Sequence, residues 1–207
     1  MPALIKPNES TFTPPPDGPQ PAACYRIVDL GTQDGSYLGK PNRKRTLLIT
    51  WELFCEEKMQ DGRPFSIGKK YTWSMHEKST LRKDLESWRG LAFQEKDFAS
   101  GGFRLESVLG KPCLLNIMHE HKNDSTYANV KGISRLPKQM TVGGPSNPLC
   151  FVWLSPDEFD QKAFDSLSDK LKEIIVKSPE YKAVISGEPV EHTTLHQGVD
   201  PDDEIPF

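Results

Sequence analysis

The sequence predicts a mainly β fold, in which five strands form a small barrel with a helix between strands 3 and 4. Three observations favour it: runs in which apolar and polar residues alternate, one segment with apolar residues at helical spacing, and the loss of both patterns near the chain ends. The 207 residues suffice for one large domain with appendages. The mean hydropathy of −0.57 is low for a wholly folded globule, so we expect folded and unfolded segments in one chain.

The two ends of the chain are expected to lie outside the barrel. Residues 1–23 hold five prolines between positions 14 and 21 and little apolar periodicity, which predicts an extended N-terminal arm. The barrel is expected over residues 24–138, a linker and a small helical appendage over 139–185, and a disordered acidic tail over 186–207.

Three strands are predicted in the first half of the barrel, over residues 25–30, 46–55 and 65–74. The glycine-rich segment 31–45 is expected to be a loop between the first two strands. In the second strand the alternate apolar residues share one face: Leu47, Ile49, Trp51, Leu53 and Cys55.

One helix and two more strands complete the barrel. Apolar side chains recur at i, i+4 and i+7 and form the buried face of the helix: Leu81, Leu85 and Trp88. Either Ser74 or Ser79 can cap its start, and Gly90 ends it. Two strands are then predicted over 113–119 and 127–136. Three strands, a helix and two strands follow one another in this way in an OB-fold barrel.

The helical appendage follows a short apolar segment over residues 149–154. Ser155 is expected to be the N-cap of a helix with Pro156 in its first turn, and an interrupted apolar period continues to about Lys177. From Ser186 onward the sequence predicts no packed element.

The charge of the chain is unevenly distributed, although its formal net charge is only −3. Residues 24–138 carry 20 Lys and Arg against 14 Asp and Glu, a net charge of +6. Residues 188–207 carry six Asp and Glu and no Lys or Arg. A basic body with an acidic end indicates a polyanion-binding protein, while a solvated surface with a solubility tail remains the alternative.

The composition excludes several classes of protein. No segment approaches the roughly 20 apolar residues of a membrane span, and residues 1–6 lack the apolar region of a signal peptide. The four cysteines form no Cys-x-x-Cys pair and are expected to be reduced thiols: Cys24, Cys55, Cys113 and Cys150. We therefore expect a cytoplasmic location.

No motif of defined spacing indicates an enzyme, since the nucleotide-binding loops, the His-Glu-x-x-His pair and the Gly-x-Ser-x-Gly elbow do not occur. We expect no catalytic residue, no cofactor and no metal. Asp157, Asp160 and Lys162 keep a metal-dependent nuclease open as an alternative, although an acidic helix start explains them better. His119 and His121 could hold a metal with Cys113 or Cys150, against the simpler interpretation of an exposed strand end.

Basic and aromatic residues coincide with the elements that an OB-fold uses to bind nucleic acid, namely strands 2 and 3 and their flanking loops. Single-strand binding without sequence preference needs cations along the phosphates and flat rings for base stacking. Trp51 and Trp88 are expected in the core, whereas Tyr71 and Trp73 are either core or stacking residues. The candidate contacts are Lys40, Arg43, Lys44, Arg45, Lys69, Lys70, Tyr71, Trp73, Tyr127, Lys131 and Arg135.

The last residues form an acidic run that closes with apolar side chains and a carboxylate: Asp202, Asp203, Glu204, Ile205, Pro206 and Phe207. This end resembles the C-terminal tip of bacterial single-stranded DNA-binding proteins. The resemblance implies that the tip recruits replication and repair enzymes: the apolar side chains fill a pocket and the carboxylates meet Arg or Lys.

The core carries a second resemblance, in the segments 69–74, 81–90 and 109–113. They are similar to segments of bacteriophage- and prophage-encoded single-stranded DNA-binding proteins, over roughly residues 24–180. The resemblance implies a non-enzymatic OB-fold protein that coats single strands during replication or recombination in the cytoplasm of a host cell, and it leaves self-association open. An OB-type adaptor that contacts mainly proteins is the first alternative.

Overall fold

In a computed structural model the chain is described over residues 13–37, 39–99, 101–123 and 125–187, except for the side chains of Tyr37 and Lys40. The fold is mainly β. The strands are β1 (Gly18–Tyr37), β2 (Lys40–Leu53), β3 (Ser66–Thr72), β4 (Pro112–Lys122), β5 (Ser125–Ser134) and β6 (Cys150–Val152). The α-helices are α1 (Thr80–Arg89), α2 (Gln161–Asp165), α3 (Asp169–Ile175) and α4 (Pro179–Ser186), and two short 3-10 helices span Glu95–Asp97 and Leu105–Val108.

The six strands form one sheet. Five of them follow the order β3-β2-β1-β4-β5, in which all neighbours are antiparallel. β6 pairs with β1 in parallel. The end strands β3 and β5 approach within 8 Å between Cα atoms, but no ladder joins them in the described residues, so the sheet is open. This confirms the mainly β class and the five-strand order with α1 between β3 and β4.

β1 is far longer than the predicted strand over 25–30. Residues 18–23 pair with β4 and therefore belong to the sheet, not to the predicted arm. Pro19 and Pro21 are tolerated because β2 first pairs with β1 at Ala22, so this part of the strand has β4 as its only described ladder partner. The predicted loop over 31–45 is also wrong, since most of it continues β1 and β2 as a paired hairpin.

The first core lies between the sheet and α1. Leu47, Ile49, Trp51 and Leu53 of β2 are buried as predicted, and Cys55 lies beyond the strand, half-buried. The helix α1 buries the predicted face: Leu81, Leu85 and Trp88. Ser79 is its N-cap, accepting a hydrogen bond from the backbone N–H of Arg82 at 3.3 Å, and Gly90 ends it with φ 68°.

The second core joins the C-terminal appendage to the outer face of β1. Val28 and Leu30 pack with Val152, Leu154, Phe164 and Ile175. The predicted single helix is wrong, because the segment divides into three short helices. Asp160, not Ser155, caps α2 by accepting from the N–H groups of Lys162 and Ala163. Ser178 caps α4, which extends beyond the predicted end at Lys177.

Part of the predicted linker is fixed to the sheet by a buried carboxylate. Glu52 of β2 accepts hydrogen bonds from the backbone N–H groups of Ser146 and Asn147, both at 2.9 Å, and from Asn147 Nδ2 at 2.6 Å. Burial alone would raise the pKa of Glu52, but these donors hold it below its ordinary value. Residues 146–148 are therefore a strap across β2.

Candidate nucleic-acid interface

The most exposed tryptophan of the described residues lies just beyond the end of β3. Trp73 is 40% exposed, and its ring centroid lies 4.5 Å from that of Trp153, which follows β6. The Arg45 guanidinium lies 5.5 Å from the Trp73 ring centre and 5.2 Å from the Trp153 ring centre. Two rings from distant parts of the chain thus share one cation.

Arg45 is held in this position by a buried acid. It forms an ion pair with Asp29, which is fully buried and also accepts a hydrogen bond from the backbone N–H of Gly31 at 2.9 Å. Arg45 Nη2 donates to the carbonyl oxygen of Leu154 at 3.4 Å. Arg45 therefore orients the two tryptophans, and its charge is paired with Asp29; its role as a phosphate contact stays a prediction.

Tyr71 is a core residue, so its assignment as a stacking residue is wrong. It is 3% exposed, and its hydroxyl donates to Asp84 of α1 at 2.8 Å. Burial and the nearby Asp84 charge raise its pKa well above the ordinary value for tyrosine, so the phenol stays protonated. Lys69 also has partners within the fold, because its Nζ pairs with Asp84 at 2.7 Å and lies 5.2 Å from the Tyr71 ring centre.

Trp73 opens onto a cleft of about 1430 Å³ between the sheet, the segment after α1 and the appendage. The rings of Phe151 and Trp153 are nearly parallel, with an interplanar angle of 5° and centroids 5.8 Å apart. Trp73, Trp153 and Phe151 thus form a row of three rings, which we call the aromatic row. Other apolar side chains line the cleft as well: Phe98, Phe103, Leu105, Leu109 and Leu149.

The rim of the cleft carries both signs of charge. His76 and Arg104 lie on it with Glu106, Glu158 and Asp160. Arg104 Nη2 contacts Glu106 Oε2 at 3.4 Å. The aromatic row therefore supplies apolar surface, and the net positive charge lies elsewhere.

The predicted basic residues of β2 and β3 lie around the hairpin and on the outer face. Arg43 is exposed and pairs with Asp34 across the hairpin at 3.0 Å. Lys44 is half-buried and stands opposite Gln33, whereas Lys70 is exposed on β3. The backbone of Lys40 begins β2, and its side chain lies outside the described set.

The candidate residues of β5 form a separate surface. Tyr127 is 53% exposed and stands opposite Glu120 of β4, whose Oε1 accepts from Lys131 Nζ at 2.6 Å. Arg135 is exposed where its stem passes over Gly90. None of these three described side chains lines the cleft.

The sequence-based prediction omits Trp153 and Phe151 as site residues, because it treats residues 149–154 only as an apolar segment. Val152 and Leu154 are buried, so Phe151 and Trp153 lie on the opposite face of this segment. That alternation was the signal for two further rings on the face that borders the cleft.

The cysteines and histidines of the described residues form no metal-binding group. Burial raises the pKa of Cys24 to about 12 and that of Cys113 well above its ordinary value, so both thiols stay protonated. His119 is within 2.8 Å of the Pro15 carbonyl oxygen. In the described ranges, no group of three or more His, Cys, Asp or Glu is placed to hold a metal ion, and no helix is long and apolar enough to cross a membrane.

A scan against protein-family models gave no match, and a search of curated proteins found no similar sequence. The six residues of the predicted acidic tip, Asp202 to Phe207, lie outside the described part of the chain.

Proposed function

We propose that this chain is a non-enzymatic single-stranded DNA-binding protein of the cytoplasm, of the type encoded by bacteriophages. It coats single strands without sequence preference during replication, recombination or repair. Stacking rings and phosphate contacts have no means of distinguishing bases by hydrogen bonding, so sequence tolerance follows from this kind of site.

The proposal includes an OB-fold barrel. The strand order β3-β2-β1-β4-β5, the position of α1 and the approach of β3 to β5 support it, since an OB-fold is a partly open five-stranded barrel. The strap and the appendage cover part of the outer face of β1 and β2. The proposed site therefore lies beside this covered face, at the aromatic row.

The aromatic row is the observation that carries the proposal. Trp73 is accessible, yet it is fixed by Trp153 and by the Arg45–Asp29 pair, so little side-chain entropy remains to be lost when a base stacks on it. Base stacking on one ring is worth about 1–3 kcal/mol. A row of rings in one cleft matches a strand of successive bases.

The test is a fluorescence titration with oligo(dT), duplex DNA and RNA at several salt concentrations. If about five phosphates are neutralised, log K falls with log salt with a slope of about −3.5. Trp73→Ala should weaken oligo(dT) binding by about 1–3 kcal/mol and leave the melting temperature nearly unchanged.

Leu91→Ala is the matched control, because Leu91 is an exposed apolar residue that does not line the cleft. Equal affinity for duplex and single strand, or equal binding by the Trp73→Ala protein, would exclude the aromatic row as a base-stacking site. Mg²⁺-dependent cleavage of the oligonucleotide would favour the nuclease instead.

The mixed charge of the cleft rim favours a second candidate, the OB-type adaptor. Glu106, Glu158 and Asp160 beside an apolar floor suit a protein segment better than a polyanion. An adaptor shows no salt-dependent oligonucleotide binding in the same titration, so one experiment separates the two functions.

A further inference from the structure

A second pocket, of about 460 Å³, lies on the other side of β6 from the aromatic row. Cys150 lines this pocket, whereas Phe151, the next residue of β6, lines the cleft. Its volume is within the roughly 300–1,000 Å³ of ordinary ligand sites. The two sites are therefore neighbours across one short strand.

The pocket collects hydrogen-bond donors and positive charge. Arg26 and Arg63 line it together with Ser66, Asn147 and Ser166, and none of its described lining residues is acidic. Arg63 is exposed, and its charge is paired with Asp61, with 2.8 Å between Nε and Oδ2. Arg26 forms no ion pair with the described residues and lines the pocket, so it is the cation available to a ligand.

Arg26 has donor capacity that the described residues leave unused. It lies on β1 between β2 and β6, opposite Thr50 and Cys150, and its guanidinium lies 5.4 Å from the Tyr25 ring centre. Its Nε is buried and has no acceptor among the described residues. A buried donor without an acceptor is costly, so the site places an incompletely paired guanidinium beside the pocket. Arg26 is only half-buried and lines the pocket, so an anion there can meet the accessible part of its side chain.

We infer that this pocket binds a phosphate group, with Arg26 as the principal ligand. The guanidinium offers up to two parallel N–H donors, and the hydroxyls of Ser66 and Ser166 come from other elements. Donors from several directions suit a tetrahedral phosphate better than a planar carboxylate. The source of the phosphate rests on the proposed function: it is a phosphodiester of the strand whose bases stack on the aromatic row.

The experiment uses the full chain, two phosphate sources and a matched control. Arg26→Gln removes the positive charge and the forked donors of the guanidinium, and Lys182→Gln removes one exposed charge of α4 that lines neither pocket. In the first arm, inorganic phosphate replaces chloride at constant ionic strength. The melting temperature of the wild type and of Lys182→Gln should rise by more than that of Arg26→Gln, which keeps only the general stabilisation by an excluded anion.

In the second arm the probe is oligo(dT). Arg26→Gln should weaken binding about tenfold at low salt and make the salt slope shallower by about 0.7, the value of one phosphate on a single strand. Lys182→Gln should change neither. If Arg26→Gln does not fold, Arg63→Gln provides the test, because that side chain is exposed and its loss should reduce the phosphate response.

The outcomes separate this inference from the proposed function. A wild type that ignores phosphate but binds oligo(dT) overturns the pocket and leaves the function standing. A wild type that responds to phosphate but not to oligo(dT) supports the pocket and overturns the function. An unchanged salt slope in Arg26→Gln, with its phosphate response lost, overturns the strand as the source in favour of a free phosphate.

Discussion

Tyr71 and Trp73 are two positions apart and lie on the same face of the chain, yet one is buried and the other is accessible. The difference arises because β3 ends at Thr72, so Tyr71 still faces the core and α1, while Trp73 passes the edge of the sheet. The period of a strand gives the face of a side chain, but not the point at which the core ends.

Tyr71→Ala should therefore act on stability. We expect the free energy of unfolding to fall by about 3–5 kcal/mol, the usual cost of removing a buried aromatic side chain. Tyr71→Phe, which loses only the hydrogen bond to Asp84, should cost about 1 kcal/mol. Urea unfolding measures both, and loss of oligo(dT) affinity at unchanged stability would contradict the core position.

Glu52 should make the stability of the fold depend on pH. Because its pKa is lowered in the folded state from the ordinary value of 4.5, its contribution is complete above that value and is lost as the pH falls through the folded pKa. We expect the urea midpoint to fall between about pH 5 and pH 3 and to fall less steeply in Glu52→Gln.

Glu57→Gln is the control for this experiment, since Glu57 is exposed. If both variants have the pH profile of the wild type, the bonds from Ser146 and Asn147 do not hold the strap in solution.

Packing between elements is most tightly constrained where α4 meets β1. Gly31 has φ +69°, and a Cβ there would overlap the Cβ and Oγ of Ser178 and lie 2.9 Å from Glu180 Oε2. Glu180 itself is buried and accepts from the backbone N–H of Thr32 at 2.8 Å. Gly18 also has a positive φ, +80°, but nothing lies within 4 Å of its missing Cβ.

Gly31→Ala and Gly18→Ala should separate backbone strain from packing. Gly18→Ala should lower the free energy of unfolding by about 1–2 kcal/mol, because an L-residue with a side chain is strained in the left-handed conformation. Gly31→Ala should cost more, because α4 must also move, and it should make α4 more sensitive to protease. Thermal melting and limited proteolysis check both variants. Equal effects would show that Ser178 moves aside without a further loss of stability.

The elements that were predicted correctly are those with local signals. The helix α1 has its apolar period and its terminal glycine close together in the sequence, and these predict its buried face and its end, while the choice between Ser74 and Ser79 as the N-cap is made only in the structure. β6 and the strap could not be predicted, because their partners Arg26 and Glu52 lie about a hundred residues away or more. The aromatic row depends on the same long-range pairing.

At the scale of the whole molecule, the acidic tail follows an anchored element. The structure describes the chain to Gly187, one residue after α4, and α4 is held beside the basic β1–β2 hairpin by Glu180 and Thr32. Residues 188–207 lie outside the described part of the chain and carry six negative charges and no positive one. We propose that this acidic tail competes with phosphate for the basic body of the protein.

Deletion of residues 188–207 should therefore leave oligo(dT) binding intact or tighten it, most clearly at low salt, where screening is weak. The same deletion, or Phe207→Ala alone, should abolish recruitment of replication and repair enzymes, because the apolar end is the anchor. Titration and affinity capture measure the two effects. If the Phe207→Ala protein still captures all of those enzymes, the tail serves only to keep the protein in solution.

The contact between Glu180 and Thr32 also has a consequence for folding during translation, because it joins residues 148 positions apart. β1 leaves the ribosome well before its parallel neighbour β6 and its helical cover. Until those segments follow, the nascent chain presents Val28, Leu30 and Leu48 to water. Such long-range closure slows folding and exposes apolar surface during synthesis, so the second core forms only after α4 has been translated.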